Sequence, residues 1–122
     1  MSVQSYQRLI AWQKGVDFAV EIYRATDAFP KQELYGIVSQ FRRASVSIPS
    51  NIAEGQGRRS TGEFRQFLGN ARGSLLETET QILLAQRLEY LPPSAAECLL
   101  KRTAELGKIL NGLMTSLLAC RR

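Results

Sequence analysis

The sequence predicts an all-α fold, an antiparallel up-down-up-down four-helix bundle. Three observations predict it. Apolar residues recur at alternating steps of three and four through four long segments, glycine or proline clusters separate those segments, and no stretch alternates with the period of two of a strand. Long helices joined by short connections run antiparallel to their sequence neighbours. A repeat of 3.5 residues favours left-handed packing at about +20°.

The first helix is predicted over about 8–25, with the seam Leu9, Trp12, Val16, Ala19 and Tyr23. Pro30 ends the connection that follows and suits the first turn of the next helix. The second helix is predicted over 31–53, with Leu34, Val38, Phe41, Ser45, Ile48 and Ile52 on its seam. Pro49 lies inside this pattern and predicts a kink, because it removes a backbone donor and crowds the carbonyl of Ser45. Gly55-Gln56-Gly57 is read as the break after it.

Ser60 and Glu63 form a capping-box pattern for a third helix over 61–87. Its seam is Phe64, Leu68, Ala71, Leu75, Thr78, Ile82 and Ala85. Pro92-Pro93 marks the next turn, and Ser94 and Glu97 repeat the capping pattern. The fourth helix is predicted over 94–120, with Ala96, Leu99, Thr103, Leu106, Leu110, Leu113 and Leu117 facing the core.

Some apolar residues, among them Ile10, Val20, Leu76, Leu83 and Leu118, fall off these seams. They fit either a broad core stripe or a second buried face between subunits. Gly69 and Gly73 lie within the third helix, where each costs close to about 1 kcal/mol relative to alanine. Close approach of another backbone, in the same chain or another, would offset that cost.

The 122 residues form one domain, 1–122, and 44% of them are apolar, an ordinary globular value. No secretory signal and no apolar stretch of the ~20 residues a membrane span needs is present, so the expected location is cytoplasmic. Cys98 and Cys120 would sit ~33 Å apart on one helix and cannot pair within the chain; unpaired thiols suit a reducing compartment.

The chain has no histidine. That removes imidazole acid–base catalysis, the Ser-His-Asp arrangement and the Glu-x-x-His metal sites of helix bundles. Glu77 and Glu79 are two apart on a helix and point in different directions. No catalytic residue, metal site or cofactor is predicted, and the chain is read as no enzyme.

Charge is concentrated. The net charge is +5, and the stretch 42–72 holds six arginines against Glu54 and Glu63, so four of the five charges sit there. Arg58, Arg59 and Arg65 are assigned to phosphate, because a guanidinium can bond it through two donors. Arg42, Arg43 and Arg72 are assigned to ion pairs or a subunit interface, with Glu54, Glu77 and Glu79 as partners. The turn around Gly55-Gln56-Gly57 precedes a helix N-terminus, a place where an anion could sit, but the segment is no Walker loop and an ordinary inter-helix turn is the favoured reading. Trp12, Tyr23, Phe41, Phe64 and Phe67 are read as core; Tyr6, Tyr35 and Tyr90 lie nearer helix ends.

Trp12-Gln13-Lys14-Gly15, Ile22-Tyr23 and Phe29-Pro30 resemble the opening of the four-helix-bundle proteins encoded in intervening sequences of bacterial 23S rRNA genes, once labelled S23 ribosomal proteins. The run from Tyr35 to Gly55, with Arg42-Arg43 followed by Ser47-Ile48-Pro49-Ser50-Asn51-Ile52-Ala53-Glu54-Gly55, carries the most specific part of the resemblance. Phe67-Leu68, Ala71-Arg72-Gly73-Ser74-Leu75 and Glu77 to Thr80 extend it. That family is similar to the accessory variability determinants of diversity-generating retroelements. The resemblance implies a homopentamer, a role in binding RNA or DNA, and a reverse-transcriptase-like or other nucleoprotein partner. It supplies no reaction. The alternative is a protein-interaction scaffold whose arginines are consumed between subunits.

Overall fold

The structure is a computed structural model and describes residues 5–119. Among these residues there are four α-helices and no strand: α1 (Ile10–Thr26), α2 (Ser39–Gln56), α3 (Thr61–Arg87) and α4 (Pro93–Ala119). A tight helical turn, Ser5–Arg8, precedes α1. Each helix packs on the next, and α4 closes back on α1. Contacts between successive helices pair early residues of one with late residues of the other. Gly15 faces Pro49 while Thr26 meets Arg42; Ser47 meets Ser74 while Gly55 faces Phe67; Arg65 reaches Met114 while Leu75 lies near Gly107.

The core follows the seams of α2, α3 and α4, except that Leu34, read as the first residue of the second seam, lies in the turn before α2 and is 46% exposed. Val38, Phe41, Ile48 and Ile52 are buried against Leu68, Leu75, Ile82, Leu106 and Leu110. Hydroxyls that fall on the seams stay satisfied by their own helix. Thr78 donates to the Ser74 carbonyl at 2.8 Å, Thr103 to Leu100 at 2.7 Å and Ser45 to Arg42 at 2.9 Å.

The seam read for the first helix needs correction. The buried residues of α1 are Ala11, Gly15, Phe18, Ala19, Ile22 and Thr26. Two apolar stripes lie side by side on this helix, and Phe18 and Ile22 take the core side. Trp12 sits at the margin, edge-on to Tyr6 at 5.3 Å, and Tyr23 is 45% exposed.

The second helix also starts later and runs further than 31–53. Lys31–Glu33 forms a tight turn, and Leu34–Val38 a wider one in which Gly36 leaves helical geometry (φ −107°, ψ −115°). From Ser39 the α-helix then continues without interruption through Pro49 to Gln56, with Gly57 as its C-cap. The irregularity expected at Pro49 therefore sits at Gly36. A Cβ on Gly15 would lie 3.4 Å from the Pro49 ring, at ordinary contact distance, so α1 packs directly against the proline.

Half of the expected capping box of α3 is present: the Glu63 amide donates to Ser60 Oγ at 3.1 Å, while the Glu63 carboxylate accepts from the Ser60 hydroxyl at 3.2 Å. α4 begins one residue earlier than expected, at Pro93, so Ser94 lies inside the helix. Proline is favoured in the first helical turn, where its missing donor costs nothing. Residue 120, the predicted end of that helix and the site of Cys120, lies outside the described residues; Cys98 is exposed.

Between α3 and α4 the chain reverses at Glu89, with φ of 63°. The Glu89 amide donates to Gln86 and the Tyr90 amide to Ala85, which satisfies two carbonyls at the end of α3. Tyr90 then donates its hydroxyl to Glu33 at 2.7 Å, tying this turn to the α1–α2 connection. The hydrogen bond to Glu33, with burial and the Glu33 charge behind it, raises the Tyr90 pKa above 10.0. A raised phenol pKa stabilises the fold fully below the ordinary value, and that stability is lost as pH rises through the raised one. Tyr90→Phe is therefore less stable than the parent below pH 10, and the gap closes in more alkaline buffer. Denaturant titrations of both proteins on either side of pH 10 check this; a gap independent of pH contradicts it.

Candidate functional site

The connection between α2 and α3 carries Arg58 and Arg59. Its shape is set by a close helix contact, because a Cβ on Gly55 would lie 2.6 Å from the Phe67 Cβ and 3.0 Å from the Phe64 ring. Gly55 is thus a site of approach inside α2 and does not break the helix. The chain turns within Gly57–Ser60 and enters α3 at once.

Arg58 and Arg59 are both exposed. The Arg58 guanidinium bonds Glu54 at 3.0 Å and lies 4.6 Å from the centre of the Phe67 ring. That ion pair is solvated, and such pairs contribute little, on the order of 0.5 kcal/mol. Arg59 enters no ion pair among the described residues. Arg65, assigned to phosphate from the sequence, is engaged elsewhere. It is half-buried and donates Nε to the Met114 carbonyl of α4 at 3.1 Å.

The α3 N-terminus is a poor anion cradle. Ser60 Oγ occupies the Glu63 amide, and the Glu63 carboxylate stands beside it. The ordinary-turn reading fits this segment, and Arg58 and Arg59 act as surface charges beside it.

Helix pairing adds a residue that the sequence reading missed. Gly15 faces Pro49, so the residues before α1 lie beside the end of α2, and the turn Ser5–Arg8 packs on α2. Arg8, exposed in that turn, therefore shares one end of the bundle with Arg58 and Arg59. It lies 50 positions from Arg58, outside the central arginine stretch, so composition gave no hint of it. Its place just before a helix paired with α2 was the available signal.

The residues assigned to ion pairs separate. Arg42 lies across the C-terminal end of α1. Its Nε donates to Thr26 Oγ1 at 2.9 Å, an Nη to the Tyr23 carbonyl at 3.3 Å, and its guanidinium covers the Tyr23 ring at 4.6 Å. It caps one of the carbonyls that a helix end leaves open, that of Tyr23. Glu54 pairs with Arg58, four residues on in the chain. Arg43 is exposed and donates to Ser39 Oγ at 3.3 Å, and Glu77 accepts from Gln81 at 3.4 Å. Among the described residues Arg43, Arg72, Glu77 and Glu79 enter no ion pair. No helix there is long and apolar enough to cross a membrane.

Two comparisons with known proteins match this architecture. A protein of unknown function from the S23 ribosomal protein family of Bacteroides thetaiotaomicron, solved by crystallography, is 27% identical and superposes with a TM-score of 0.77, over 86% of this chain and 98% of that one. No curated protein matches. The profile of the 23S rRNA-intervening sequence proteins matches residues 7–112, which takes in the end of the turn before α1, the Arg58–Arg59 connection and most of α4. By that match over most of its length, the chain belongs to the 23S rRNA-intervening sequence protein family.

Proposed function

We propose that this protein is a non-enzymatic, up-down-up-down bundle that self-associates as a homopentamer and binds RNA or DNA through the arginine end of each subunit. One observation carries the nucleic-acid reading: Arg58 and Arg59 are exposed on the turn that follows the close Gly55–Phe67 contact, with Arg8 at the same end. Glu54 offsets part of that charge and Arg59 enters no ion pair among the described residues, so the surface suits a polyanion more than a single small anion. Several copies in one particle would multiply the field at these ends. A nucleoprotein partner of the reverse-transcriptase kind would meet the same surface. The number five rests on the family resemblance.

A second reading is favoured by a different observation. Among the described residues Arg43, Arg72, Glu77 and Glu79 are left without ion pairs, which suits a scaffold that pairs them between subunits, with no nucleic acid involved.

Titration of a labelled single-stranded RNA at several salt concentrations separates the readings. Phosphate contacts make log K fall linearly with log salt, with a slope of about −0.7 per phosphate neutralised. Arg58→Glu with Arg59→Glu abolishes the binding while the oligomer stays intact. No binding at low salt, or affinity unchanged in the double variant, removes the arginine end from the mechanism.

A further inference from the structure

We infer that the crease between α2 and α3 holds a binding site for a small zwitterion, a free α-amino acid whose carboxylate meets Arg43 and whose ammonium meets Glu77. The site does not depend on nucleic-acid binding, and it gives these two groups a use within one chain.

Antiparallel packing of the two helices sets the geometry. Ser47 of α2 meets Ser74 of α3 with 2.8 Å between the hydroxyl oxygens. One helical turn further along, Arg43 and Glu77 stand on opposite walls of a polar cavity of about 240 Å³, which both serines and buried Ala44 also line. The two charges face one space, yet among the described residues neither enters an ion pair. Each is engaged on its own helix. An Arg43 Nη donates to Ser39 Oγ at 3.3 Å, and the Glu77 carboxylate accepts from Gln81 Nε2 at 3.4 Å.

Donors and acceptors around the cavity do not balance. Asn51 Nδ2 donates to Ser47 Oγ at 2.9 Å. Two hydroxyls that share one hydrogen bond carry two protons, and only one of them lies in that bond, whichever serine donates. One hydroxyl proton is therefore left over one turn from Arg43, whose guanidinium has further N–H donors beyond the one on Ser39. The Glu77 wall has the opposite surplus. Its carboxylate accepts one N–H among the described residues. Gln81 behind it is 7% exposed, and its Oε1 is buried with no partner among the described residues. A buried acceptor without a donor is uncommon in folded proteins and marks a place where a donor is wanted.

The matching ligand has two acceptor oxygens at one end and several N–H donors at the other. An α-amino acid has both. Its carboxylate can take two parallel bonds from a guanidinium and a third from the free serine hydroxyl. Its ammonium brings three donors to Glu77 and the Gln81 amide. A phosphate would meet Glu77 and a metal cation would meet Arg43, so either is opposed by one wall. The cavity is smaller than the pockets that take drug-sized molecules, which suits glycine, alanine or serine.

Titration of the isotope-labelled full chain with L-alanine, followed through the amide resonances of Ser47 and Ser74, tests the site. Saturable shifts are expected, with a Kd on the order of 1 mM. Acetate and methylammonium carry one half of the ligand each and are expected to bind at least about tenfold more weakly. Arg43→Gln and Glu77→Gln each lie on exposed positions, and each is expected to weaken alanine binding by about tenfold while helical circular dichroism and sedimentation mass stay parental. No saturable shift far above the millimolar range overturns the site. Acetate binding as well as alanine overturns it by making the cavity a simple anion site, and so does alanine affinity unchanged in either variant. A variant whose particle mass falls places Arg43 and Glu77 between subunits and overturns it too. None of these readouts involves RNA, so they are distinct from a failure of the nucleic-acid reading.

Discussion

Replacing Phe41 by alanine is expected to lower the unfolding free energy by about 3–5 kcal/mol, measured by urea denaturation at fixed protein concentration. The side chain is fully buried in the core cluster. Its ring lies 6.3 Å from Phe29, which in turn lies 5.3 Å from Tyr90. This row of rings joins α2 to the α1–α2 connection and to the turn before α4. Truncation leaves a cavity whose walls belong to separate elements, so no single side-chain movement fills it. A small domain is stable by only about 5–15 kcal/mol, so the loss is a large share of the total. A change below about 1 kcal/mol would mean that the walls collapse freely and that the core is not close-packed there.

The second large effect is at Gly55. Alanine there is expected to cost about 1–3 kcal/mol, because its Cβ would fall 2.6 Å from the Phe67 Cβ, an atom attached to backbone and unable to swing aside. The same exchange at Gly112, where among the described residues nothing beyond the helix's own backbone lies within 4 Å of the added Cβ, is expected to gain up to about 1 kcal/mol. Opposite signs for one chemical change separate packing from propensity. Denaturant midpoints for both variants check it, and stabilisation by Gly55→Ala would refute the close contact. The Gly55 variant also displaces the turn that carries Arg58 and Arg59, so its RNA affinity falls with its stability.

Three of the four helical seams were legible because heptad spacing dominates where one apolar stripe is clear, as in Leu68, Ala71, Leu75, Thr78 and Ile82. The first was not, since Trp12 and Tyr23 form a stripe as apolar as Phe18 and Ile22, and only the partner helices decide which one faces inward. Pro49 attracted the expected irregularity because proline lacks a donor, yet its ring has Gly15 opposite and the helix runs on. Gly55, read as a break, instead admits a neighbour, while Gly36 interrupts a segment read as continuous helix. Composition located the central arginines correctly. It could not tell that Arg42 caps α1, that Arg65 bonds the backbone of α4, or that Arg8 joins Arg58 and Arg59, because each depends on which helix ends meet.

The most direct measurement is sedimentation velocity of the full chain mixed with a fluorescent single-stranded RNA, at low and then raised salt. The expected result is a label that moves with a particle of several chains at low salt and returns to the rate of free RNA as salt rises, at a slope set by the phosphates released. A label that stays with free RNA even at the lowest salt, beside protein sedimenting as a single chain, would contradict the proposed function.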